Sequence, residues 1–344
     1  MSDSLILFAW IVISLSLLLT VMFSYLVTQK VKENRWRKEV ESYKSLYEPI
    51  LLRYLFDGQH VPPPLVSAQY VAMMELLDHF LLVLDNGVKE RATLLAEQYL
   101  STYLQKQLHH RRLGRRMNAL FYIEDFQLAS FLPELEKRYD AEETTTMEKR
   151  QLLKMFALFR HPHVYEYMKR VDESFTQFDY RLILSRMDDR MFTKMVDYFF
   201  DWNEKMQYAL IDMIGIMQKW AHISFLRTLL QHEQSEYRIR ALKALAEMAF
   251  PLEDDQLRIH LHSEVWQERL MALRLCARMR QHTLIDTIKQ LMEDRVFSVR
   301  SQAAEALLRM PNGLAMLEQI AQTSDDPYAR DMALEWLERG REDD

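Results

Sequence analysis

The stretch Val299-Arg-Ser-Gln-Ala-Ala-Glu-Ala-Leu-Leu-Arg-Met310 decides the fold, because the chain spells it four times. Tyr237-Arg-Ile-Arg-Ala-Leu-Lys-Ala-Leu-Ala-Glu-Met248 and Glu268-Arg-Leu-Met-Ala-Leu-Arg-Leu-Cys-Ala-Arg-Met279 precede it, and Ala329-Arg-Asp-Met-Ala-Leu-Glu-Trp-Leu-Glu-Arg339 follows; successive starts are 31, 31 and 30 residues apart. Met206 to Met217 fits one period earlier, with Gln207 where the others carry arginine. Such a period suits stacked helical hairpins. Ala241, Ala272, Ala303 and Ala333 share a position where a small side chain lets neighbouring helices approach. Leu245, Cys276, Leu307 and Leu337 follow four residues on and extend the apolar stripe, with Met217, Met248, Met279 and Met310 in a further row. A second amphipathic helix precedes each segment, as in Leu284–Met292 and Leu314–Ile320, and Pro251, Pro311 with Gly313, and Pro327 mark the joints. One hairpin cannot bury its apolar face alone. The pattern therefore predicts an all-α solenoid of stacked antiparallel helix pairs.

An acid followed by Val-Arg-x-x-Ala-x-x-Ala-Leu is kept best in Asp294 with Val299-Arg300-Ser-Gln-Ala303-Ala-Glu-Ala306-Leu307. It resembles the short HEAT-like repeats found in many bacterial proteins. The resemblance covers residues 192–344, and a looser echo at Val88-Lys-Glu-Arg-Ala-Thr-Leu-Leu95 extends a degenerate form through 65–191. One departure is Glu268, which stands where the repeat has a hydrophobic residue before Arg269. The resemblance implies that Arg238, Arg269, Arg300 and Arg330 bond the acid and loop carbonyls within the array. In solenoids the second helices line the concave binding surface. Lys243, Arg274, Glu305 and Glu335 align there across repeats, as do Glu247, Arg278, Arg309 and Arg339. Lys243, Arg274, Arg278, Glu305, Arg309 and Arg339 are the candidate contacts to a protein partner.

At the other end, Leu5 to Val27 reads LILFAWIVISLSLLLTVMFSYLV, with no charge between Asp3 and Lys30. At about 1.5 Å per residue it is long enough to cross a hydrocarbon core about 30 Å thick. A cleaved signal peptide would want a basic start and a small-residue cleavage site, and a buried core helix is usually shorter. Beyond Val27 come Lys30, Lys32, Arg35, Arg37 and Lys38 against the single acid Glu33. The positive-inside rule then places residues 1–4 outside and the bulk in the cytoplasm, as a single-pass protein of the cell membrane. Those five basic residues are also the candidate contacts to anionic lipid.

The expected organisation is a spanning helix over 5–27, a basic segment and amphipathic helix over 28–60 kinked or divided at Pro49, and a stiff spacer over 61–64 at Pro62-Pro63-Pro64. A helical region, 65–191, and the repeats, 192–344, follow. Asn86-Gly87 reads as a helix end, and Thr145-Thr-Met-Glu148 as a capping box that opens another helix.

Six glycines and nine prolines argue against a sheet protein, and a net charge of −6 against nucleic acid as ligand. Phosphate-cradling glycine loops and the common catalytic signatures do not occur. His109-His110, His161-Pro-His163 and His260-Leu-His262 lack the spacing that converges on one metal. The run His109-His-Arg-Arg-Leu-Gly-Arg-Arg116 reads first as a solvated helix end and second as an anionic contact. No catalytic residue, cofactor, metal or small-molecule substrate is expected. The sequence thus points to a membrane-anchored scaffold or adaptor with a protein partner at the inner membrane face. An accessory subunit of a transporter or polysaccharide synthase is the alternative, and an enzyme like the HEAT-like bilin lyases comes behind it.

Overall fold

A computed structural model describes residues 2–84 and 86–342, and among them every regular element is helical. The chain divides into two compact units, residues 1–152 and 153–344.

The first unit opens with α1 (Ser2–Asp57), followed by α2 (Ser67–Val83), α3 (Asn86–Leu108), α4 (Leu113–Asp125) and α5 (Leu132–Asp140); α6 (Thr146–Leu158) runs across the division. Every described side chain from Leu7 to Glu39 is exposed. From Val40 onward the same helix changes character: Val40, Tyr47, Leu51 and Leu55 are buried. Val40 packs on Ala68 and Ala72, and Glu75 of α2 takes Arg37 at 2.6 Å and Lys44 at 3.4 Å.

α1 is not divided at Pro49 and runs on as one helix to Asp57. Proline removes one ladder hydrogen bond, but Pro49 and Ser45 both lie on the exposed side, where water can satisfy the freed carbonyl. The expected spacer is a packed connection. Val61 and Pro64 are buried, and the Tyr99 hydroxyl donates to the Val61 carbonyl at 3.1 Å. Asn86-Gly87 begins α3 rather than ending α2, which stops at Val83. The capping box at Thr145 forms as read: its N–H and hydroxyl donate to Glu148 at 3.0 and 2.9 Å, and the Glu148 N–H returns to the Thr145 hydroxyl.

The second unit contains α7 (Val164–Lys169), α8 (Gln177–Leu184), α9 (Asp189–Asp197), α10 (Glu204–Ile216), α11 (Ile223–Leu229), α12 (Ser235–Glu247), α13 (Asp254–Leu261), α14 (Trp266–Met279), α15 (Ile285–Gln290), α16 (Phe297–Leu308), α17 (Gly313–Thr323) and α18 (Pro327–Glu342). The second helices of successive pairs stack directly: α10 on α12, then α14, α16 and α18. Ala241, Ala272, Ala303 and Ala333 are wholly buried along this row, as are Leu245, Cys276 and Leu307. α10 and α12 approach closely at Gly215, where a Cβ would come 2.7 Å from the Ala244 Cα.

The joints share a backbone device. Gln218, Ala249 and Arg280, which follow α10, α12 and α14, all have φ between 49° and 53°. Gln127 after α4 and Arg160 after α6 adopt the same left-handed conformation. It ends a helix by turning the chain back toward its own last carbonyls.

Candidate functional site

The site rests on a frame of arginines. Arg238 forks onto Glu268, 30 residues on, at 3.0 and 2.9 Å. Its remaining nitrogen donates to the His232 and Glu233 carbonyls, six and five residues back. Arg269 repeats this on Asp294 at 2.7 and 2.9 Å and on the Ser263 and Glu264 carbonyls. Arg300 and Arg330 keep the bond to the carbonyl six residues back, at 2.7 and 2.9 Å. All four arginines therefore work inside the array. Glu268 is not a flaw in the repeat but the acceptor of the rung before it. Where the position holds Val299, Arg269 turns to Asp294 in the joint. Gln207 and Tyr237 form a neutral version of the same rung at 2.6 Å.

Sequence reading missed a fifth arginine of this kind. Arg116 forks onto Glu148 at 2.6 and 3.0 Å and donates to the His110 and Arg111 carbonyls, six and five residues back. Its Arg116-Met-Asn-Ala119 matches the Arg-x-x-Ala of the repeats, with Ala119 and Ile123 buried. Glu148 is fully buried and also takes Arg138 at 3.2 Å. Burial pushes its pKa up, but the arginines and Thr145 outweigh it and hold the carboxyl at about 2. Glu268 sits at about 2 for the same balance: burial opposes, and His260, Arg238 and Ser263 prevail.

On this frame the outward sides of α12, α14 and α16 form a recess of about 350 Å³. Arg274, Arg278, Glu305 and Arg309 line it together with Glu247, Gln302, Ala246 and Ala277. Arg274 and Arg278, one turn apart on α14, are exposed and have no ion-pair partner within 4.0 Å among the described residues. Arg309 is paired with Glu305 at 2.7 Å. Burial raises the pKa of Glu247 at the recess edge.

The other two candidates lie elsewhere. Lys243 approaches Asp212 and Glu247, both at 3.8 Å. Arg339 binds Glu335 and stands 4.9 Å over the Trp336 ring. A residue that sequence did not flag organises the neighbourhood of Lys243: Asp212 of α10 is buried and receives Arg181, Gln177 at 2.7 Å and Arg240 at 2.7 Å. Its partners lie 31, 35 and 28 residues away, close to one repeat period, which is the signal that was available.

Of the cations that follow Val27, Lys30, Lys32, Arg35 and Lys38 are exposed, with Lys30 near Glu33 at 3.1 Å. Arg37 is exposed as well and also pairs with Glu75, which ties α1 to α2. His260 is likewise occupied, 2.6 Å from Glu268. Cys276 is buried, and its thiol is pushed up to about 12 by that burial.

Residues 255–338 match the family of HEAT repeats, so the C-terminal part of the chain contains a HEAT-like domain. No curated protein matches the sequence. Among solved structures, an engineered protein is similar at 15% identity over 80% of this chain and 80% of its own, with a TM-score of 0.34. Human deoxyhypusine hydroxylase in complex with glycerol is similar at 16% identity over 72% of this chain and 98% of its own, TM-score 0.30. The Pds5–Scc1 complex gives 11% identity over 88% of this chain and 59% of that chain, TM-score 0.33. Likenesses of this size carry no argument about function.

Proposed function

We propose that this chain is a non-enzymatic, membrane-anchored scaffold whose HEAT-like repeats hold a protein partner at the inner face of the membrane. The observation that carries the reading is the pair Arg274 and Arg278, exposed and in no ion pair within 4.0 Å among the described residues, at a recess where Arg309 is already paired with Glu305 and Glu247 lies at the edge. Two guanidiniums one turn apart, neither held in a fork by this chain, are free to take a partner carboxylate in forked hydrogen bonds. HEAT-type arrays generally serve protein–protein contact, which agrees with this use of the strip.

The anchor follows from α1. Its exposed apolar stretch ends three residues before Lys30, where exposed cations begin. A helix so apolar and so uncovered is stable in lipid and not in water. The basic flank sets the amino terminus outside and both units in the cytoplasm.

Capture tests the reading. Replacing Arg274→Glu and Arg278→Glu together abolishes recovery of the crosslinked partner while helicity and melting temperature stay unchanged. Undiminished recovery from the doubly reversed protein contradicts it.

A further inference from the structure

The first unit carries an apolar tip at a particular height. α1 and α2 are antiparallel neighbours, fixed in register by Arg37 on Glu75 at 2.6 Å and by Val40 on Ala68 and Ala72. Both helices continue unbroken from that contact, α2 to Val83 and α1 back through the apolar segment. Val83 lies eight residues past Glu75, and eight residues before Arg37 stands Gln29. Equal helical rise therefore brings Leu82 and Val83 level with Gln29 and Lys30, about 3–5 Å beyond Val27. Leu82 is 81% exposed and Val83 67% exposed.

An exposed leucine by itself says nothing, since folded proteins expose many. Leu65, just before the other end of α2, is also 81% exposed. The difference is position. Leu65 lies roughly 25 Å farther along the pair, away from the apolar stretch of α1. Leu82 and Val83 stand where that stretch gives way to the cations, the height at which apolar side chains dip into the boundary between headgroups and acyl chains.

We infer that Leu82 and Val83 at the end of α2 insert into the membrane interface beside α1, making a second contact with the bilayer. The inference rests on the reading that α1 spans a membrane. A single helix leaves the body it carries free to swing. A second contact at the same depth, with Lys30 and Lys32 beside it to meet anionic headgroups, fixes the tilt of the first unit relative to the membrane plane.

Depth measurement by spin labelling tests this on the full chain in vesicles of phosphatidylcholine and phosphatidylglycerol. Nitroxide is attached after Leu82→Cys, Leu65→Cys or Leu18→Cys in turn; Cys276, wholly buried, stays in place. Collision with oxygen, which concentrates in lipid, is compared with collision with a water-soluble nickel chelate. The expected result is a label at 82 that meets oxygen more than nickel, to a degree between the label at 18, deep in lipid, and the label at 65, in water. A label at 82 as open to nickel as the one at 65, while 18 remains in lipid, overturns the second contact and spares the anchor. A label at 18 that is open to nickel overturns both.

Discussion

The rung Arg116–Glu148 in the first unit and the rung Arg238–Glu268 in the second use the same parts. Each has a guanidinium fork on a glutamate and a third nitrogen on carbonyls five and six residues back. They differ in how far water is kept away. The paired side chains are 8% and 0% exposed in the first unit, against 21% and 3% in the second. Glu148 compensates two arginines, whereas Glu268 is shared by one arginine, one histidine and Ser263. The same geometry thus bears more weight where it is drier, because a charge stripped of its partner has no solvent to turn to.

The largest expected effect follows from that contrast. Glu148→Ala leaves the buried Arg116 without its carboxylate and Arg138 with only the exposed Glu143, and costs about 3–5 kcal/mol. Glu268→Ala leaves a partly hydrated Arg238 and costs about 1–3 kcal/mol. Hydrogen exchange of α4 and α6 in the first variant, and of α12 and α14 in the second, reads the two losses separately. Equal losses break the comparison.

Acid sharpens it. Both glutamates have folded pKa values of about 2 against an ordinary 4.5, so the unfolded chain takes up protons first as pH falls. Their contribution is fully present above about pH 4.5 and is lost as pH drops toward about 2. In an acid titration followed by circular dichroism, Glu148→Gln and Glu268→Gln each lower stability at neutral pH and flatten the acid limb. A limb as steep as in the parent chain contradicts the assignment.

Two smaller effects concern the row of second helices. Gly215→Ala drives a Cβ to 2.7 Å from the Ala244 backbone, and overpacking of this kind costs about 1–3 kcal/mol. The loss appears in exchange rates along α10 and α12. Ala249 holds a left-handed φ of 49° without being glycine, so Ala249→Gly raises stability by about 1 kcal/mol as the strain is relieved. A lower melting temperature for Ala249→Gly shows that the joint is not strained.

Legibility followed the same division. In the second unit the alanine and leucine positions repeat closely enough to give the period and the helix pairs, and the resemblance to HEAT-like repeats implied the packing role of four arginines. In the first unit Arg116 hides within Arg111-Arg112 and Arg115-Arg116, which read as a charge run, and its acceptor Glu148 is 32 residues away. A side chain's burial is not written in its neighbours' charges. Pro49 and the three prolines after Val61 read as breaks because helical pattern does not reveal which side of α1 meets water. At the candidate site the aligned register brought out Arg274, Arg278, Glu305 and Arg309, which the structure gathers at one recess. It did not anticipate Asp212, since one aspartate in an apolar helix gives no hint of cations arriving from α8 and α12.

The central claim is that this recess holds a protein partner, and site-specific photocrosslinking in intact cells tests it most directly. A photoreactive residue placed at Arg278 is compared with one at Ile259, which is 71% exposed on α13. The account predicts one discrete crosslinked species from position 278, lost on Arg274→Glu, and none from 259. The same species from both positions, or a crosslink at 278 that survives Arg274→Glu, contradicts it.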